Sequence, residues 1–156
     1  MNTSTDIDAM IRTKRSEMER ADAVHQEKIR TLVSLIPIVC DSGNRYPEPV
    51  VRASLTSMTE MLTNHQPSLV EELLRNKPNI LKHLDDLSYR NQTKEEVVKA
   101  VFQIVSVIAS GCIRVLLSSG DNDKYFKSLL KRFLKSEFKE VAANAKELIE
   151  NCKTRV

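Results

Sequence analysis

The side chains able to do chemistry in this chain of 156 residues are few, and their spacing limits what they can do. His25, His65 and His83 lie far apart, and none has a cysteine, histidine or carboxylate at the short spacing that closes a metal site. Cys40, Cys112 and Cys152 each sit among apolar residues, without a C-x-x-C pair, and Cys112 has no nearby histidine. They read as buried, reduced thiols of an intracellular protein rather than as nucleophiles or disulfide partners. Glu71-Glu72 and Asp85-Asp86 place carboxylates side by side, but sequence neighbours on a helix do not face one another, so capping or solvation is expected rather than acid-base work. No glycine-rich phosphate loop, nucleophile elbow or H-E-x-x-H occurs, and three glycines could hardly cradle a phosphate. The expectation is a protein that is not an enzyme and needs no metal or cofactor.

Binding chemistry is better represented. Lys127, Lys131, Lys135 and Lys139 recur every four residues, with Lys124 and Arg132 beside them, and the span from Lys124 to Lys135 holds five basic residues and no acid. On one continuous helix they would form a positive ridge able to meet an acidic peptide, phosphate or nucleic acid. The plainer alternative is a solvated face opposite Phe126, Leu130 and Phe133, and a break at Ser136 would split the ridge. A net charge of +3 permits contact with nucleic acid without requiring it. Met18, Met58 and Met61 are core filler or the lining of an adaptable partner groove.

The elements that must position these residues are helical. Leu, Lys, Glu, Ala and Ser are plentiful, whereas Gly (3), Pro (5) and aromatic residues (4%) are scarce. From Asp6 to about Lys28 the chain is charge-rich, with a narrow stripe of Ile7, Met10, Ile11 and Met18 and an Arg15/Glu19 pair at i,i+4. Apolar density rises from Ile29, and Pro37 predicts a kink or a helix end. Turn chemistry follows at Asp41-Ser42-Gly43-Asn44, and Pro49 suits the first position of a helix carrying Val50, Val51, Leu55, Met58, Met61 and Leu62. Pro67 and Pro78 punctuate two shorter helices. Thr93 and Glu96 have the spacing of a capping box before a helix that is apolar nearly all round, from Val97 to Ile108, and therefore central to the core. Gly111 is expected to end it, with a short helix from Ile113 to Ser118 and a second stop at Gly120. Asp121-Asn122-Asp123 offer caps to a helix bearing Phe126, Leu129, Leu130, Phe133 and Leu134. A last helix carries Phe138, Val141, Ala145, Leu148 and Ile149.

The most hydrophobic stretch, Ala100 to Ile113, is about 14 residues long, interrupted by Gln103 and bounded by Lys99 and Arg114, which is too short to span a bilayer. The polar, acidic beginning lacks the apolar core of a signal peptide, so an intracellular location, cytoplasmic or nuclear, is expected and the Asn91-Gln92-Thr93 sequon is expected to carry no sugar.

Pro49-Val50-Val51-Arg52-Ala53, Glu96-Val97-Val98-Lys99-Ala100 and Glu140-Val141-Ala142-Ala143 open three helices whose starts are 47 and 44 residues apart. That period belongs to stacked helical units, none of which can bury its own apolar face alone. Tyr125 to Val141, a short leucine-rich helix, a tight break and a long helix, resembles the armadillo repeat consensus. Val105 to Gly111, Ile113 to Gly120 and Glu137-Phe138-Lys139 are similar to the C-terminal repeats of the importin-alpha family. The resemblance covers about Ile29 to Cys152. It implies a groove on the long helices, which in that family is lined by a Trp and an Asn four residues later. This chain has no Trp. The matching positions hold Gln103 and Val107, and in the last repeat Lys146 and Glu150, so the resemblance implies the fold without the family's usual capture of basic peptides. The basic residues among Arg12 to Arg30 are a weak match to an importin-beta-binding segment.

The expected architecture is thus all-α: a charged helix or arm over 1–28, then, over 29–156, a short right-handed superhelix of about three armadillo-like repeats. The expected function is that of a protein-protein interaction scaffold or adaptor, binding a protein or peptide segment through Gln103, Lys146 and Glu150. The alternatives are a nucleic-acid or acidic-partner binder acting through the lysines from Lys124 to Lys139, and a small structural subunit that self-associates.

Overall fold

The computed structural model describes residues 3–41, 45–64, 68–118 and 121–155. Among them the protein is all-α, with seven helices: α1 (Thr3–Val39), α2 (Glu48–Asn64), α3 (Ser68–Asn76), α4 (Ile80–Arg90), α5 (Glu95–Ser118), α6 (Asn122–Leu134) and α7 (Lys139–Arg155). The chain divides into two units, 1–31 and 32–156. In the first, α1 carries charged residues all round, and Lys14 pairs with Glu17 and Arg30 with Glu27 in place of the expected Arg15/Glu19 pair. Ile7, Met10, Ile11 and Met18 are exposed.

In the second unit the last turns of α1 bury Leu32, Ile36 and Val39. Pro37 does not end this helix, which runs on to Val39 with Cys40 N–H still donating to the Ile36 carbonyl at 2.9 Å. A proline so near the C-terminus removes one donor while the turns before it are held by burial. Gly43, His65, Pro67, Gly120 and the side chain of Cys112 lie outside the described residues.

Helix α5 is the hub. Val97, Val98, Val101, Ile104, Val105, Ile108 and Ala109 are buried over more than half of its circumference, and it packs against α2, α3, α4, α6 and α7. Two expectations about it are corrected. Gly111 does not end the helix, nor does a separate helix begin at Ile113, because α5 continues unbroken to Ser118. A glycine inside a helix costs about 1 kcal/mol relative to alanine, and burial of Ile108, Ala109 and Ile113 on either side outweighs that. At the other end α5 opens at Glu95, one residue past the start that a Thr93 cap implies.

The long helices form one row. Helix α5 lies between α2 and α7, each of which packs against it. The first turns meet, since Lys94, just before α5, pairs with Glu48 at the start of α2 (3.2 Å), and Lys99 in the second turn of α5 pairs with Glu140 at the start of α7 (3.2 Å). The three helices therefore run in the same direction with their starts side by side. The shorter α4 and α6 form a second row, in contact with each other and with α5, and α6 also packs on α7. Phe102 of α5 and Phe133 of α6 join the rows edge to face, with centroids 5.2 Å apart.

Candidate functional site

Because α2, α5 and α7 bury their inward faces, their opposite faces form a polar strip. On α2 this strip is Arg52, Thr56 and Glu60, which with Glu96, Lys99 and Gln103 of α5 line an open groove of about 530 Å³. Gln103 is exposed there, one turn beyond Lys99. Lys99 is held by Glu95 and Glu140 (3.2 Å each), and hydrogen bonding to Glu95 and then Glu140 raises its pKa above the ordinary 10.5. A smaller groove of about 240 Å³ separates α5 from α7, with Ser106 and Ser110 on one wall and Asn144, Glu147 and Asn151 on the other. Lys146 and Glu150 are exposed on the outward face of α7, beside that wall rather than in it. Val107, the other expected groove position, is half-buried. The α2 residues Arg52, Thr56 and Glu60 and the α7 residues Asn144 and Asn151 were not singled out as groove residues from the sequence, although each lies away from a buried stripe that helical periodicity picks out.

The lysine ridge is broken. Helix α6 ends at Leu134 and α7 begins at Lys139, so Lys127, Lys131 and Lys135 belong to one element and its cap and Lys139 to another. All four are exposed, but their surroundings differ. Lys127 is paired with Asp123 at 3.0 Å. Lys131 and Lys135 have no ion-pair partner among the described residues, and both line a groove of about 480 Å³ where the α4–α5 turn meets the α6–α7 turn.

Arg132, which the sequence groups with the ridge, instead turns toward α4. Its Nη1 donates to the Asp85 carboxylate (2.6 Å), the Asp85 carbonyl (2.8 Å) and the Ser88 hydroxyl (2.7 Å). Ser128 Oγ donates to the same carboxylate at 3.1 Å, and the guanidinium lies 5.4 Å from the centre of the Tyr89 ring. Ser88 is 1% exposed, and the Arg132 and Asp85 side chains are only 25% and 17% exposed, so this cluster clamps α6 to α4 in a poorly solvated place.

Among the described residues the thiols and histidines are not assembled into a reactive centre. Cys40 and Cys152 are half-buried, less enclosed than expected, because each lies at the end of an apolar run where the helix margin meets solvent. Burial pushes the Cys40 thiol from 9.0 up to about 11, with Lys77 acting in the opposite direction. Desolvation, then Lys77 and Lys82, lower His83 below 6.5. Among the described residues no three His, Cys, Asp or Glu side chains come together in a way that could hold a metal ion, and no helix is long and apolar enough to cross a membrane. Comparison with protein-family models, curated proteins and solved structures gives no match for this chain.

Proposed function

We propose that the protein is a non-enzymatic interaction scaffold, built as a short right-handed superhelix of about three armadillo-like repeats, and that the outward faces of α2, α5 and α7 hold an extended segment of another protein. The reading is supported above all by a recurring offset. Asp85 meets Ser128 and Arg132, which are 43 and 47 residues further on, and the pairs Glu48–Lys94 and Lys99–Glu140 join positions at nearly the same separation. Contacts between equivalent positions of successive units are what a stack of repeats requires.

On this reading the partner lies across Arg52, Thr56, Glu60, Lys99 and Gln103 and continues toward Lys146 and Glu150. The strip is of mixed charge and has amide and hydroxyl groups, which suits a polar segment of alternating charge better than a uniformly basic one. The experiment compares quantitative affinity capture by the intact protein and by a triple variant, Gln103→Ala, Lys146→Ala and Glu150→Ala, whose helicity is verified by circular dichroism. Loss of a specific protein by about tenfold or more supports the proposal, since tenfold corresponds to about 1.4 kcal/mol. An unchanged set of captured proteins rejects this surface. A second copy as the partner would appear as a mass that rises with concentration in light scattering, and the same variant would abolish that rise.

A further inference from the structure

We infer that the groove between the α4–α5 and α6–α7 turns is a binding site for a phosphate monoester, separate from the outward face of the long helices and independent of the scaffold reading. Its volume of about 480 Å³ falls in the range that holds small ligands or one modified side chain with its flanks. Three cations line it, Lys131, Arg132 and Lys135, of which Arg132 is already paired with Asp85, and the one acid in the lining is Glu137.

The first argument is ion pairing. Lys131 and Lys135, one turn apart on the same face, have no carboxylate partner among the described residues; Lys82, Lys124, Lys139 and Lys146 share that property, but only Lys131 and Lys135 stand together in this groove. The second is preorganisation. Asp85 and Ser88 fix Arg132 entirely through Nη1, so the rest of its planar fork has no acceptor among the described residues while its orientation is already set. A guanidinium held in place, with two exposed ammonium groups in the same groove, matches the three oxygens of a phosphate monoester, which carries nearly two negative charges at neutral pH. The third is the remaining lining. Thr93, Ser136 and Gln92 offer polar donors, while Val98 and Phe133 supply an apolar wall for the carbon atoms that bear the phosphate. A bare nucleic-acid strand would need a longer basic track, and the end of α6 at Leu134 interrupts one.

The phosphate could come from a small phosphorylated metabolite or from a phosphorylated side chain on a protein, and the titration separates the two. The full chain, labelled with nitrogen-15, is titrated at constant ionic strength with inorganic phosphate, O-phosphoserine, and a phosphoserine peptide alongside its unmodified twin. The expected result is saturable shifts confined to the amides of 88–93 and 128–137. The Lys131→Ala/Lys135→Ala double variant should weaken binding by about tenfold or more, as loss of charge-assisted hydrogen bonds implies. A Lys82→Ala/Lys153→Ala variant, with the same change of net charge, should bind as the parent does, and Glu137→Gln should bind more tightly by removing the one repelling carboxylate. O-phosphoserine binding as tightly as the phosphopeptide identifies a small ligand, and a phosphopeptide about tenfold tighter identifies a modified protein. Shifts spread over every exposed lysine, equal binding of the unmodified peptide, no saturable shift, or equal weakening by the two double variants would each overturn the inference.

Discussion

Arg132 and Asp85 carry consequences out of proportion to their number. Each is mostly withdrawn from water, so truncating the arginine leaves a poorly solvated carboxylate without its counter-charge, and Arg132→Ala is expected to lower the unfolding free energy by about 2 kcal/mol in urea denaturation. Ser128→Ala, which removes one neutral donor to the same carboxylate, should cost about 1 kcal/mol or less. Equal, negligible losses in both variants would show that the cluster is not a clamp. Two titrating groups add pH dependence of opposite sign. The Cys40 thiol is raised from 9.0 to about 11 by burial, so the folded state holds its proton more tightly than the unfolded chain. Its contribution is intact below pH 9 and fades as pH climbs toward 11, and Cys40→Ala should flatten that part of the stability curve. His83 is lowered, so its contribution is present above pH 6.5 and is lost as pH falls below it; His83→Gln should flatten the acid side. Little of this was legible in the sequence. Pairs spaced by three or four residues lie within reach of a reading along the chain, although Arg15/Glu19, the one named there, gives way to Lys14–Glu17; Asp85 lies 47 residues from Arg132 and becomes its partner only when the helices pack.

At the scale of the helix, periodicity was a good guide to interiors and a poorer one to ends. Of the apolar positions at which α2, α5 and α7 begin, Val97, Val98 and Val141 are buried, whereas Val50 is exposed and Val51 and Ala142 are half-buried, so burial imposes the spacing in α5 more fully than in α2. Ends depend on the balance between local preference and packing, and at Gly111 packing prevails. That balance can be tested. If Gly111 occupies a continuous helix, Gly111→Ala should raise stability by about 1 kcal/mol in thermal or urea unfolding. Had the chain left the helix there in a left-handed conformation, the same change would destabilise it, so the sign of the effect decides between the two. Pro37 illustrates the same competition on a smaller scale, since α1 outlasts it by two residues.

For the second unit as a whole, the arrangement around α5 predicts an order of local stability. The hub helix is enclosed by five others, whereas among the described residues α7 packs chiefly on α5 and α6. Native-state hydrogen exchange should therefore find the amides of Val101 to Ile108 opening only with global unfolding, and those of α7 through a smaller fluctuation. Uniform protection of both would mean that the unit opens all at once. The period of about 45 residues was visible in the sequence because equivalent apolar openings recur, but which outward side chains share a groove was not, since that depends on how neighbouring helices are turned about their axes. The common direction of α2, α5 and α7 has one more effect. Antiparallel neighbours cancel their peptide dipoles, whereas these three add, concentrating partial positive charge at one edge and partial negative charge at the other. Glu48, Glu95, Glu96 and Glu140 stand at the positive edge, so the backbone field there is neutralised by side chains; at the far ends α7 has Lys153 in its last turn whereas α2 and α5 have no basic residue in theirs, and a cationic approaching group is drawn first to the ends of those two helices.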